Sequence, residues 1–198
     1  MQLVPADMLR FIEMKGKRFS HFVSKARKTC EQIIATISFT REYEDFGTAE
    51  SRWQNLRKII ESAQEEVNAD GITIINDIPE DCEIYADPVI RKVFTTLLEN
   101  AIRHGETITK IHCFCTKDEN QLIITCQDDG VGVPDDEKRY IFGLRYGKHT
   151  GIGLFLAKEI LSITGLSIRE CGEPGKEARF EIIVPENEYR FLSESEKK

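Results

Sequence analysis

From Phe19 onward the apolar or small positions Phe19, Phe22, Val23, Ala26, Cys30, Ile33, Ile37 and Thr40 recur at alternating steps of three and four. That is the spacing of one helical face. A continuous helix over about residues 20–46 would run roughly 40 Å at 1.5 Å per residue, too long for an ordinary core helix, so it is expected to pair with another. Pro5 is placed to open a shorter helix that reaches Lys15, and Gly16 to end it. The first 47 residues therefore read as a partial helical hairpin with its first arm cut short. Gly47 stops the long helix, and Thr48, Ala49 and Glu50 form a hinge.

Beyond Ser51 the pattern alternates between short strands and helices. It predicts a strand at 52–54, a helix to about Asn68 capped by the Asn55 side chain, and strands at 72–76 and 83–85 separated by Pro79, Glu80 and Asp81. Pro88 suits the first turn of a helix to about His104. IHCFCT and QLIITCQ make a hairpin across KDEN, residues 152–163 form a helix, and LSIREC with ARFEIIV makes a last hairpin. This order predicts an α/β two-layer sandwich over 48–186, a mixed sheet with three helices on one face. Residues 187–198 read as a charged, frayed tail. No internal repeat is evident.

The 27 Lys and Arg against 34 Asp and Glu give a net charge of −7, which offers no general attraction for nucleic acid or an anionic membrane. No apolar run approaches the ~20 residues of a membrane span, and no secretory leader opens the chain. A soluble, cytoplasmic protein with no membrane segment is expected. The six cysteines lack CxxC spacing, and Cys113 and Cys115 alternate along a strand, so reduced thiols are expected rather than disulfides or zinc.

Polar chemistry gathers in four stretches between Thr95 and Phe155. On the helix after Pro88, Asn100 shares a face with Arg103 and His104, three and four positions on. An amide oxygen there could ligate Mg²⁺, which takes hard oxygen donors, and Arg103 could meet phosphate; a plain solvent face gives the same pattern. DDGVGVP, residues 128–134, follows a strand and lets backbone turn sharply beside a ligand, as any Asp/Gly turn also would. Residues 142–150 carry Arg145, Lys148 and His149 among glycines and read as a basic loop. Thr150, Gly151, Ile152, Gly153 and Leu154 open a helix whose free N–H groups suit phosphate, or whose glycines suit tight helix packing.

Taken in order, LLENAIRHG, DDGVGVP and IFGLRYGKHTGIGLFL resemble the N box, first glycine box, and F and second glycine boxes of the histidine-kinase ATP-binding domain, within the GHKL superfamily and its Bergerat fold. The likeness covers roughly residues 53–185. Upstream, SFTREYEDFG resembles the second helix of the dimerisation and phosphotransfer hairpin, particularly of some archaeal-type sensor kinases. The resemblance implies Asn100 as Mg²⁺ ligand, Arg103 and His104 near the phosphates, and Asp128 accepting a hydrogen bond from the adenine amino group. It implies that Gly130 and Gly132 pass beside the purine and that Lys148 and Thr150 lie in an ATP lid. Gly151, Gly153 and Leu154 then meet the triphosphate, and Phe142 packs the lid against the domain, unless it is simply core. The implied activity is transfer of the γ-phosphoryl group of Mg-ATP to a histidine and onward to a response regulator receiver domain, in a homodimer joined through the hairpin.

Two positions depart from that pattern. Where hydrolysing relatives carry a water-activating Glu, four residues before Asn100, this chain has Thr96, a poor base. Neighbouring Glu99 points about 100° away around the helix. The acceptor histidine is also missing from its expected place. His21 lacks the acidic neighbour and starts the second helix, so it reads as a solvated residue or a weak acceptor candidate. The chain is therefore expected to be a fragment that binds nucleotide without phosphorylating itself. A dimerising scaffold that has lost nucleotide, or a GHKL ATPase, are the other readings.

Overall fold

The computed structural model describes residues 22, 23, 25, 49–144, 146 and 151–193. The predicted hairpin of residues 1–47, with His21, lies outside the described residues except for Phe22, Val23 and Lys25, which are helical and exposed. The chain divides into compact units at Met1–Arg41 and Glu42–Lys198, and the second carries the fold described below.

Its strands are β1 (Arg52–Asn55), β2 (Thr73–Asn76), β3 (Cys82–Ala86), β4 (Lys110–Asp118), β5 (Gln121–Asp128), β6 (Ser167–Glu170), β7 (Arg179–Pro185) and β8 (Tyr189–Phe191). The helices are α1 (Leu56–Glu66), α2 (Arg91–His104) and α3 (Gly153–Ile163). Five strands form a mixed sheet in the order β2-β4-β5-β7-β6, in which β2 runs parallel to β4 and the remaining neighbours are antiparallel. A separate antiparallel sheet, β1-β3-β8, was not resolved by the sequence pattern.

Local chemistry sets the helix starts. Asn55 Oδ1 accepts the Lys58 N–H at 3.0 Å, the expected cap of α1. Asp87 accepts the Val89 N–H at 2.8 Å, with Pro88 at the head of a 3-10 turn that runs into α2. Each helix buries one stripe: Leu56, Ile60 and Ala63 on α1, Phe94, Leu97 and Leu98 on α2, Leu156, Ile160 and Leu161 on α3. Helix α2 packs against both α1 and α3. Along β5 the alternating residues Leu122, Ile124, Cys126 and Asp128 are all buried, so one pleat carries three core residues and then an acid. At about 1.5–3 kcal/mol for each large apolar side chain, this layer is what holds β5 still beneath the candidate site.

The frayed tail is corrected over its first part. Tyr189–Phe191 pairs with Cys82–Ile84 as β8. Tyr189 turns inward and is buried, while Arg190 meets Glu83 at 2.6 Å and lies over the Trp53 ring at 4.3 Å. The charge that made this segment look solvated has its partners across the small sheet.

Candidate nucleotide site

Asp128 ends β5 and is only 5 % exposed. Its Oδ1 accepts the Gly130 N–H at 2.9 Å and the Ala178 N–H at 3.3 Å, while its own N–H donates to Ala178 O at 3.0 Å. Burial pushes its pKa above the ordinary carboxylate value, against the pull of those two amides, and the charges of Asp129 and Glu170 add to the rise. A fixed, buried acceptor at a strand end is suited to reading a single donor on a flat ligand.

The glycines beside it are there for space. A Cβ on Gly130 would lie 2.7 Å from both Cα and O of Gly105 and 2.8 Å from Ile108 Cγ2. Gly132 has φ +69, and a Cβ there would lie 2.5 Å from Glu177 O. The loop 128–134 is thus clasped between the end of α2 and the β6–β7 turn. Asp129 latches its near edge: the Thr109 hydroxyl donates at 2.5 Å and the Thr109 and Lys110 amides at 2.8 and 3.0 Å. Those donors, the hydroxyl foremost, hold its pKa down to about 2. Gly105 and Thr109 were not singled out as site residues. Gly105 closes the LLENAIRHG stretch and stands at the end of a helix.

Asn100 projects from α2 one turn before Gly105. Its Nδ2 is buried without a hydrogen-bond partner, a donor that a phosphate or water oxygen could meet, while only its Oδ1 could ligate a cation. Thr96, one turn earlier, faces the start of α3: a Cβ on Gly153 would stand 3.1 Å from Thr96 Cγ2. Gly153 therefore serves close helix packing, one of the two roles open from the sequence. Gly151 has φ +61 immediately ahead of it, and Leu154 is half-buried in the first turn of α3. Arg103 is exposed and turns along the helix to Glu99 at 3.6 Å, and His104 is exposed beside it. Phe142 meets Phe180 of β7 edge-on, ring centroids 6.3 Å apart. Lys148 and Thr150 lie outside the described residues.

Nucleotide with Mg²⁺ fits this donor set. The described residues contain no group of three His, Cys, Asp or Glu able to hold a metal, so the ion would rest on Asn100 and on phosphate and water oxygens, the usual arrangement for Mg²⁺. Among the described residues every cysteine is a free thiol, and no helix is long and apolar enough to cross a membrane.

A mixed sheet with helices packed against it, an acid closing a central strand, and glycine loops at the ends of two helices define a nucleotide-binding α/β class. Residues 86–188 match the family described as histidine kinase-, DNA gyrase B-, and HSP90-like ATPase, and the chain belongs to that family. The sensor protein KinB of Pseudomonas aeruginosa, which functions in alginate biosynthesis, is 34% identical over 102 residues, covering 48% of this chain and 17% of KinB. The Synechocystis sensor histidine kinase RppB is 26% identical over 194 residues, 90% of this chain and 40% of RppB. The chain thus spans less than half of either relative. Both relatives are bacterial, and nothing supports the archaeal shade of the resemblance. A full-length ShkA structure in complex with AMPPNP superposes with a TM-score of 0.66 at 18% identity, covering 88% of this chain and 39% of that one; it shows the fold.

Proposed function

We propose that this chain is the ATP-binding catalytic part of a sensor histidine kinase. It binds Mg-ATP and presents the γ-phosphoryl group to a histidine, for onward transfer to a response regulator receiver domain. The observation that carries this reading is the buried Asp128 carboxylate, fixed by the Gly130 and Ala178 amides at the mouth of a glycine loop. Its oxygens accept and cannot donate when ionised, so they favour the exocyclic amino group of adenine over the keto oxygen of guanine.

Each residue has a limited task. Asp128 selects the base, and Gly130 and Gly132 give the ring a wall of backbone. Asn100 would hold Mg²⁺, which supplies charge neutralisation on the phosphates. Arg103, with Lys148 from the lid segment, adds positive charge near the same oxygens, His104 lies beside them, and amides at Gly151, Gly153 and Leu154 offer donors at the positive end of α3. Phosphoryl transfer asks chiefly for such positioning and charge. Homodimerisation through the hairpin and a cytoplasmic setting belong to the same reading.

Thr96 favours this over an ATPase. Its methyl lies against Gly153, and Glu99, the carboxylate next to Asn100, is turned to Arg103, so neither of these described side chains offers an acid to activate water. Displacement of a fluorescent adenine nucleotide by ATP but not GTP, with phosphate release at background, is the expected result. Steady phosphate release well above background contradicts the kinase reading and favours an ATPase.

A further inference from the structure

Asp128 is not the only buried acid beside the glycine loop. Glu170, the last residue of β6, has a side chain with no exposed surface. Its Oε1 accepts the Gly172 N–H at 2.9 Å and the Arg179 N–H at 3.2 Å. Successive amides at the start of β7, those of Ala178 and Arg179, are thus held by two different buried carboxylates. The second oxygen, Oε2, lacks any hydrogen bond. Its ionic neighbour is Lys138 Nζ at 3.4 Å.

Lys138 comes from the other side of the clasp. It lies on the run of turns after Pro134, tied by Lys138 N–H to Pro134 O at 3.2 Å, that leads toward Phe142. Its ammonium, 17% exposed, donates to Gly172 O at 2.5 Å and meets Asp135 Oδ1 at 2.9 Å. One cation therefore bridges the segment downstream of the glycine loop to the turn at 172–178. That same turn supplies the Ala178 amide to Asp128, the Gly175 N–H to Val131 O at 2.7 Å, and the Glu173 and Glu177 carbonyls that crowd Gly132. Without the cation, Glu170 keeps a buried, unmet oxygen and the turn loses its tether on that side.

We propose that Lys138 and Glu170 are positioning residues for the adenine end of the site: the ion pair of half-buried Lys138 with buried Glu170 presses the 172–178 turn onto the glycine loop and so fixes the Asp128 carboxylate and the Gly132 backbone where the base enters. The inference rests on the adenine reading above for its functional half. Its structural half stands without ligand. The pair acts through Asp128, so its loss weakens adenosine and an ATP analogue by the same factor, about tenfold, the size expected for losing one well-placed hydrogen bond.

The test compares the full chain with Lys138→Met, Glu170→Gln and the double variant. In the ligand-free protein, amide exchange at Gly130, Gly175 and Ala178 is expected to quicken in Lys138→Met. The double variant is expected to lose less than the sum of the two single losses, because the buried Glu170 charge that Lys138→Met strands is then absent. Exchange at those amides unchanged in Lys138→Met, or strictly additive losses, overturns the pair. Faster exchange with nucleotide affinity unchanged overturns its role in binding. A wild-type chain that binds neither adenosine nor the ATP analogue overturns the adenine reading, a failure told apart from the pair's because exchange is read without ligand.

Discussion

The two ends of the candidate site are built differently. At the base end, Asp128 and Glu170 are buried, and one oxygen of each accepts two backbone amides, those of Gly130 and Ala178 on Asp128 and of Gly172 and Arg179 on Glu170. At the proposed phosphate end, the side chains come from one face of α2, with Arg103 exposed and paired to Glu99, and the backbone amides from the start of α3. In the proposed site, base recognition would be part of the fold, altered only together with the loop. Charge neutralisation would rest largely on exposed side chains such as Arg103, in high-dielectric surroundings where each contributes less.

The largest effect expected from breaking the base end without touching a polar group is at Gly132. Gly132→Val would place side-chain atoms against Glu177 O and force a β-branched residue to positive φ, so loss of adenine-nucleotide binding and a lowered thermal midpoint of several degrees are expected. Calorimetry and circular dichroism check both.

Next is Asn100→Ala, which removes the residue that would hold Mg²⁺ and should abolish most of the difference between ATP-analogue affinities measured with and without Mg²⁺. Adenosine affinity should stay within about twofold, since the base end is untouched. An equal loss for adenosine would erase the division between the two ends.

Acid sharpens the comparison further. If the Asp128 carboxylate is the acceptor for the base, as proposed, its raised pKa means that on acidification affinity should begin to fall at a pH above the ordinary Asp value of about 3.9. Without ligand the sign is reversed: a raised carboxylate favours its protonated form in the fold, so the stability Asp128 contributes is fully present below about 3.8 and is lost as pH rises from there through its folded value. Asp129 behaves oppositely. Held at about 2 against 3.8, it contributes stability that is present above 3.8 and lost as pH falls toward 2. Since Asp129 is exposed, that loss should be small, and Asp129→Asn should flatten it in acid titrations of unfolding.

The smallest effect belongs to Arg103→Ala. An exposed arginine already paired with Glu99 should cost no more than a few-fold in ATP-analogue affinity, and the difference should shrink in high salt.

What the sequence disclosed and what it hid divide along the same lines. Helices α1 and α2 were readable from local signals, the Asn55 cap three residues from the amide it serves and Pro88 at the head of the turn that runs into α2. The β4–β5 hairpin was readable from alternation across a short polar turn. Strand β8 was not, because Arg190 finds its partner Glu83 across 107 positions of chain. Asp128, Gly130 and Gly132 stood out as a contiguous motif, whereas the Lys138–Glu170 pair and the Thr109–Asp129 latch join residues far apart in the chain. One signal for Glu170 was present: it shares the face of Ile168 on a short strand, an acid at an inward-facing position.

The most direct test of the account is calorimetry of the chain with Mg²⁺ and a nonhydrolysable ATP analogue, set beside a GTP analogue and the Asp128→Ala variant. The account predicts binding that prefers adenine and falls by about a hundredfold or more in the variant, which loses a buried charged acceptor. Equal affinity for the two bases, or full affinity in a folded Asp128→Ala chain, would contradict it.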